Sequence, residues 1–400
     1  MSVEVRPVQQ RAERKAFIRF PWKIYPGRYP AWVPPLLTEE SKRINPKKNP
    51  FFGHGAVQLF LAYRNGGVVG RIAAIENTLH NEFHEDRVGF FGMFESIEDQ
   101  EVASALLDAA AEWVRGRGLE SMRGPVNFST NEDCGLLIDN FEAPPTVMMP
   151  FNPPYYAGLL ETWGLEKAKD LLALRGDKDQ FDLPRFERLV SVAKRSGVDM
   201  QVRGLRMDKF DEEVNLVREL YNSAWERNWG FVPMTDEEVD HMAKQLKPVV
   251  DPELALIGEI DGEPVGFALS LPDINQAIRQ CNGRLFPFGV FKLLWYMRRI
   301  VGVRIITLGV KKEYRHTGLA AMFYFETFKR ATGKGHSWGE SSWVLEDNTD
   351  MLGGLDKMKF WLDKTYRIYE RAGYRLRGKS RRGRASCRWV SGALYGSCHE

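Results

Sequence analysis

A chain of 400 residues, 44% of them hydrophobic, can bury more than one ordinary core and points to two domains of average size. Its 56 basic and 53 acidic side chains nearly cancel, which removes the global field of a nucleic-acid binder. The four cysteines, Cys134, Cys281, Cys387 and Cys398, lie too far apart for a zinc site or a disulfide framework and suit a reducing cytoplasm. The opening MSVEVRPVQQRAERK places charge where a signal peptide needs an apolar stretch, and no run of about 18 apolar residues follows, so neither secretion by that route nor a membrane span is expected.

The first half opens with a helix punctuated by aromatics and proline, FPWKIYPGRYPAWVPPL, and passes into a β-rich stretch with a Val-Gly step around Gly70, LFLAYRNGGVVGRIAAI. Ala103, Leu106, Leu107, Ala110 and Val114 then recur at helical spacing. Loops rich in Asn, Gly and Pro follow, RGPVNFSTNEDCGLLIDNF and MMPFNPPYYAGLLETWG, and a boundary falls near residues 176–200. The second half repeats the first, with strand-like VDMQVRGL, the punctuated helix YNSAWERNWGFVPMT, and ALIGEIDGEPVGFALSL around Gly266 at an offset of 196. An offset of 217 lays Gly92 on Gly309, Gly118 on Gly335 and Asn131 on Asn348 without a gap. The difference of 21 places an insertion within NQAIRQCNGRLFPFGVFKLLWYMRRIVGVR. Its aromatic and aliphatic bulk beside Lys292, Arg298 and Arg299 suits an interfacial or acyl-chain-binding segment, and equally a buried core helix. Helix, strands, helix, strand, used twice, predicts an α+β fold of two lobes over 1–180 and 195–371, each a mixed, mainly antiparallel sheet flanked by helices. Residues 372–400 form a basic tail; Arg371 to His399 carries eight Lys or Arg and no acid, and reads as a solvated, disordered extension.

The chemistry concentrates in ITLGVKKEYRHTGLAAMFYFETF, where a strand ending at Val310 leads through Arg315-His316-Thr317-Gly318-Leu319-Ala320 into a helix. A glycine turn at a helix N-terminus presents unpaired N–H groups and a positive dipole to an anion. Gly318 lets the backbone approach a pyrophosphate closely, and Arg315 adds charge; the plainer reading is a helix cap. The segment resembles the R/Q-x-x-G-x-G/A loop of GNAT acyltransferases, and the strands ESSWVLEDN and KTYRIYE complete that family's order over roughly residues 200–370. The resemblance implies an N-acyltransferase in which an acceptor amine attacks a CoA thioester directly. Acetyl-CoA or a longer acyl-CoA would be the donor, held by Leu308, Val310, Arg315, His316, Thr317, Gly318, Leu319, Ala320 and Asn348, with no metal. In the first copy Glu98 and Glu101 stand opposite Arg315 and Gly318. Acids at that place satisfy the dipole and repel phosphate, so this lobe is expected to be degenerate. Its role is then structural, or it lends the acceptor site a wall from the loops holding Asn127, Ser129, Asn131, Glu132, Asn152, Tyr155 and Tyr156; the plainer reading is that Asn and Pro build turns there.

Such an enzyme needs a base for the amine and often an acid for the departing thiolate. The resemblance points to the strand after the phosphate-loop helix, making Glu346 and Glu340 candidate bases, although each also reads as a strand-end charge. The family's tyrosine acid has no counterpart in MLGGLDKMKFW; Tyr366 and Tyr369 fall in what reads as an alternating strand, a position that departs from the family's, and Tyr369 is the candidate carried for that role. Trp225, Asn228 and Trp229, with Asn127 and Asn131, are candidates for binding the acceptor. His80 and His84 stand four apart but lack a third ligand, so a metal is not expected. Over nearly everything to about residue 371 the chain is similar to long bacterial GNAT-like proteins sharing FPWKIY, WVPPL, FFGMFES, GPVNFSTNE, YNSAWERNWGFVP and KTYRIYE, some of them associated with N-acylation of a sphingoid base in ceramide synthesis. That similarity implies a small amine, peptide or sphingoid-type lipid amine as acceptor. The expected setting is cytoplasmic, with peripheral contact at the inner face of the membrane and no nucleic-acid partner. The reading of a different class is a non-catalytic CoA-sensing or protein-interaction module on the same scaffold.

Overall fold

The computed structural model describes residues 2–194, 198–225 and 229–373. The basic run beyond residue 373 and Asn228 lie outside the described residues, and so does the side chain of Trp225.

Among the described residues there are thirteen strands: β1 (Glu4–Pro7), β2 (Gly55–Arg64), β3 (Gly67–Asn77), β4 (Val88–Ser96), β5 (Ser121–Gly124), β6 (Leu136–Leu137), β7 (Glu166–Asp177), β8 (Met200–Gly204), β9 (Ala255–Ile260), β10 (Glu263–Pro272), β11 (Gly302–Val310), β12 (Trp338–Leu345) and β13 (Trp361–Ala372). They form one continuous sheet in the order β1-β2-β3-β4-β5-β13-β7-β12-β11-β10-β9-β8, with β6 attached to β13. Only β4/β5 and β11/β12 are parallel pairs, one in each half. The α+β architecture with a mainly antiparallel sheet is therefore as expected.

Both copies turn their first hairpin the same way. Asn65-Gly66 between β2 and β3 and Asp261-Gly262 between β9 and β10 have positive φ at both residues, as a tight two-residue turn with the right twist requires. Each copy then packs one amphipathic helix on its sheet, Gln100–Gly116 through Val102, Leu106 and Val114, and Leu319–Gly333 through Leu319, Met322 and Phe323.

The copies do not superpose without a gap. Gly70 pairs with Ser96 and Gly266 with Val310, which sets the strand offset at 214, whereas the helix ends at Gly116 and Gly333 and the following strands begin at Ser121 and Trp338, an offset of 217. Three extra residues thus sit in the loop between β11 and its helix, and the counterpart of Gly309, which pairs with Phe267, is Glu95, which pairs with Arg71. The insertion between β10 and β11 is correspondingly 18 residues.

The last strands are exchanged. β7 follows the first half in the chain but pairs with β12 of the second, and β13, last in the chain, pairs with β5 of the first. β7 and β13 pair with each other at the centre of the sheet.

Candidate active site

Parallel pairing of β11 with β12 runs from Gly302/Trp338 to Ile305/Ser341 and stops, while β11 continues to Val310 and β12 to Leu345. The two strands therefore open into a wedge whose edges expose backbone polar groups that lack their sheet partner. At the apex Arg304 is buried, donating Nε to Ser342 Oγ (2.9 Å), Nη1 to the Val147 carbonyl (2.7 Å) and Nη2 to the Ser342 carbonyl (3.0 Å). Beyond the wedge Lys312–Thr317 forms a 3-10 turn and Gly318 takes φ 90°, the left-handed region that a side chain would strain. The helix that follows takes no side-chain cap from Gly318; Leu319 N–H lies 3.4 Å from Thr317 Oγ1 and Ala321 N–H donates to the Gly318 carbonyl (3.0 Å), and the positive end of the helix dipole faces the turn.

The first half has the same wedge, and it is plugged. Pairing of β4 with β5 ends at Phe90/Arg123, and the chain then turns into the gap: Val126 N–H donates to the Phe91 carbonyl (2.8 Å) and Asn127 Oδ1 accepts from Met93 N–H (2.8 Å). A Cβ at Gly92 would collide with the Val126 carbonyl. Its helix is capped as well, by Asp99 accepting from Val102 N–H (3.2 Å) while paired with Arg64 (2.7 Å). Asn127 is thus committed to closing the first wedge.

On one face of the second wedge lies a cavity of about 280 Å³. Its walls come from helices Phe210–Trp225 and Asp236–Leu246, strands β9 to β12, and a loop of the first half, Thr130-Asn131-Glu132, together with Met148. The lining is mostly aliphatic and aromatic, as an apolar ligand needs. Among its polar members, Tyr221 donates its hydroxyl to Asn131 Oδ1 (2.9 Å), and Asn131 in turn donates to the Val232 carbonyl (2.9 Å). Thr307 also lines the cavity, but its hydroxyl is fully buried and has no hydrogen-bond partner among the described residues.

Glu132 and Tyr221 are titratable groups on this surface that burial shifts strongly upward. Burial pushes the Glu132 carboxyl up to about 8, the nearby Asp133 carboxylate adding to the effect and the Arg43 guanidinium, 3.7 Å away, opposing it. Its side chain keeps 29% of its surface accessible, and it lines the cavity. Arg43 is shared with Asp133 (3.1 Å) and Glu40 (3.2 Å), which limits what it does for Glu132. Glu213, also on the cavity wall, behaves oppositely: burial would raise it, but Arg203 (2.7 Å) and Arg206 (2.6 Å) hold it below the usual range.

The structure brings together Leu308, Asn348, Asn131 and Trp229 on the cavity wall and leaves the three candidate catalytic groups elsewhere. Asn348 also caps helix Thr349–Lys357, its side chain accepting from Met351 N–H. Glu346 is held by Lys167 Nζ (2.6 Å) and Asp170 N–H (3.1 Å). Glu340 is buried under Thr146 Oγ1 (2.6 Å), Ser342 Oγ (2.8 Å) and Lys364 Nζ (3.4 Å). Tyr369, because β13 has crossed over, sits in the first half's core and donates to Glu161 (2.9 Å). Val310 and Leu319 are core residues of the second half, with Ala320 packed beside them. Arg315 Nε donates to the Val310 carbonyl (3.2 Å) and Thr317 Oγ1 to the Tyr314 carbonyl (2.7 Å), so these two shape the turn that also carries His316. His80 is buried against His84, and burial lowers it to about 3.

No family model matches the chain. It is 40% identical over 379 residues to the bacterial ceramide synthase of Caulobacter vibrioides, covering 93% of this chain and 98% of that protein. It is 37% identical to protein YghO of Escherichia coli, covering 92% and 95%. Among solved structures it resembles a tandem GNAT protein from the clavulanic acid biosynthesis pathway, at 12% identity and a TM-score of 0.53, over 93% of this chain and 98% of that one.

Proposed function

We propose that this chain, which belongs to the family of the Caulobacter vibrioides bacterial ceramide synthase and is an acyltransferase of the GNAT fold, moves a fatty acyl group from a CoA thioester to the amine of a long-chain amino alcohol. The observation that carries the reading is the apolar cavity beside the β11/β12 wedge, with the carboxyl of Glu132 on its wall. The cavity suits an aliphatic chain, and the helix start at Gly318 suits the donor's phosphates. Glu132 has the affinity for a proton that a base working near neutral pH needs.

In this reading Glu132, ionised, takes a proton from the acceptor's nitrogen. The nitrogen lone pair attacks the thioester carbonyl, the C–N bond forms, the C–S bond breaks, and the thiolate leaves to take up a proton. Backbone N–H groups of β11 beyond Ile305, which have lost β12 as a partner, are placed to meet the carbonyl oxygen as it gains charge.

The test is turnover of palmitoyl-CoA with sphinganine, followed by release of free thiol, in wild type and Glu132→Gln. Loss of a base predicts a fall in kcat of about 10²–10⁴-fold with donor affinity unchanged. Full activity in the variant would remove Glu132 from the reaction, and turnover with short polar amines but none with sphinganine would overturn the lipid acceptor.

A further inference from the structure

Of the eleven exposed large hydrophobic residues described, six fall between Phe286 and Val301, in the insertion that only the second copy carries. Phe291, Leu294 and Trp295 lie at helical spacing on Gly289–Met297, and Phe286 and Phe288 precede them, all 58–83% exposed. This is therefore not a buried core helix. A contiguous apolar surface of this kind marks a place of interaction.

The insertion's root is fixed. Arg279 donates to the Pro30 carbonyl (2.6 Å), Trp22 Nε1 to Asn282 Oδ1 (3.2 Å) and Leu37 N–H to the Gly283 carbonyl (3.0 Å). What is held firmly at its base presents its aromatic stripe outward. The charge around the stripe has one sign: Arg284, Lys292, Arg298 and Arg299 flank it, and residues 274–312 contain no carboxylate. Arg299 stacks on the Trp295 ring at 4.6 Å. A second copy docked here about a two-fold axis would bring cation against cation with no acid to offset them. An anionic bilayer offers the complement to both features, acyl chains for the aromatics and head groups for the cations.

The position in the fold agrees. The insertion leaves β11 at its Gly302 end and the phosphate loop at its Val310 end, so the nine residues of the strand separate them by about 30 Å. Contact of the insertion with a surface therefore need not cover the turn at the strand's other end. One strap links the insertion to the cavity: Asn275 donates to the Pro145 carbonyl (2.9 Å), Asp273 accepts from Val147 N–H (2.8 Å), and Met148, next in the chain, lines the cavity.

We propose that Phe286–Val301 is a membrane-docking element that seats this protein on an anionic lipid surface. The inference stands on the insertion alone and holds whatever amine is the acceptor. The test is co-sedimentation of the full-length protein with vesicles of phosphatidylcholine, alone or with about a third phosphatidylglycerol. Two variants are compared, Phe288→Ser/Phe291→Ser/Trp295→Ser and Lys292→Gln/Arg298→Gln/Arg299→Gln; circular dichroism checks the fold, which these exposed side chains should not alter. Wild type is expected to bind the anionic vesicles, the charge variant to bind roughly a hundredfold more weakly, at about fivefold per cation, and the aromatic variant at least about tenfold more weakly. Wild-type affinity in both variants would assign membrane binding to the basic tail and overturn the proposal. So would failure of wild type to bind, or a dimer in sedimentation equilibrium that the aromatic variant abolishes.

Discussion

Replacing Glu132 with glutamine keeps the shape of the side chain and removes its titration. An ordinary glutamate value of 4.5 describes the unfolded chain, and burial raises the folded value to about 8. A group raised on folding contributes stability that is complete below pH 4.5 and is lost as pH climbs through about 8, because above that the folded protein must hold a buried anion. At about 1.4 kcal/mol per pH unit the interval sets a ceiling of about 5 kcal/mol. With 29% of the side chain accessible and Arg43 at 3.7 Å, a value of about 2 kcal/mol is the reasonable expectation. Urea unfolding followed by tryptophan fluorescence, at about pH 5 and about pH 8.5, measures it. Glu132→Gln should gain about 2 kcal/mol on wild type between the two conditions. Equal differences at both pH values would mean that Glu132 titrates like a surface carboxylate, and the case for it as base would fall with that result.

Gly318→Glu forces a side chain into left-handed backbone and faces a carboxylate toward the donor's phosphates, so calorimetric titration should show palmitoyl-CoA affinity reduced at least about a hundredfold. Unchanged affinity would place the phosphates elsewhere. Tyr369→Phe removes one hydrogen bond to Glu161 and should cost about 1 kcal/mol in denaturation while leaving turnover within about twofold. A tenfold loss of turnover would return the tyrosine to the reaction.

The repeat, the glycine turn before helix Leu319–Gly333 and the insertion were legible because each is a local pattern: period, glycine at a helix start, aromatic density. The strand exchange was not. β7 and β13 are both long, and nothing in their residues says which sheet they join; that is settled by their pairing with each other across the centre. Tyr369 was misplaced for this reason, since its position along the chain assigns it to the second half while its packing assigns it to the first. Glu132 lay in a loop whose polar and aromatic character suggested an acceptor wall, but its proton affinity depends on Arg43, Asp133 and burial contributed by distant segments. The apparent match of Gly92 to Gly309 concealed a three-residue difference in the very loop that distinguishes the halves.

The exchange also gives the half whose wedge is plugged a structural role. A second lobe cut at residues 195–371 would lack β7, leaving β12 with an unpaired edge, and β13 would have neither of its long neighbours. The first half therefore completes the sheet on which the wedge depends. It also supplies Thr130, Asn131, Glu132 and Met148 to a cavity whose other lining residues belong to the second half. Plugging its own wedge with Asn127 anchors the segment that runs on to Thr130, Asn131 and Glu132, so the feature that disables one site positions the wall of the other. On the proposed function, degeneracy in the first copy would be a division of labour, with one half holding the donor and the other positioning the proton acceptor.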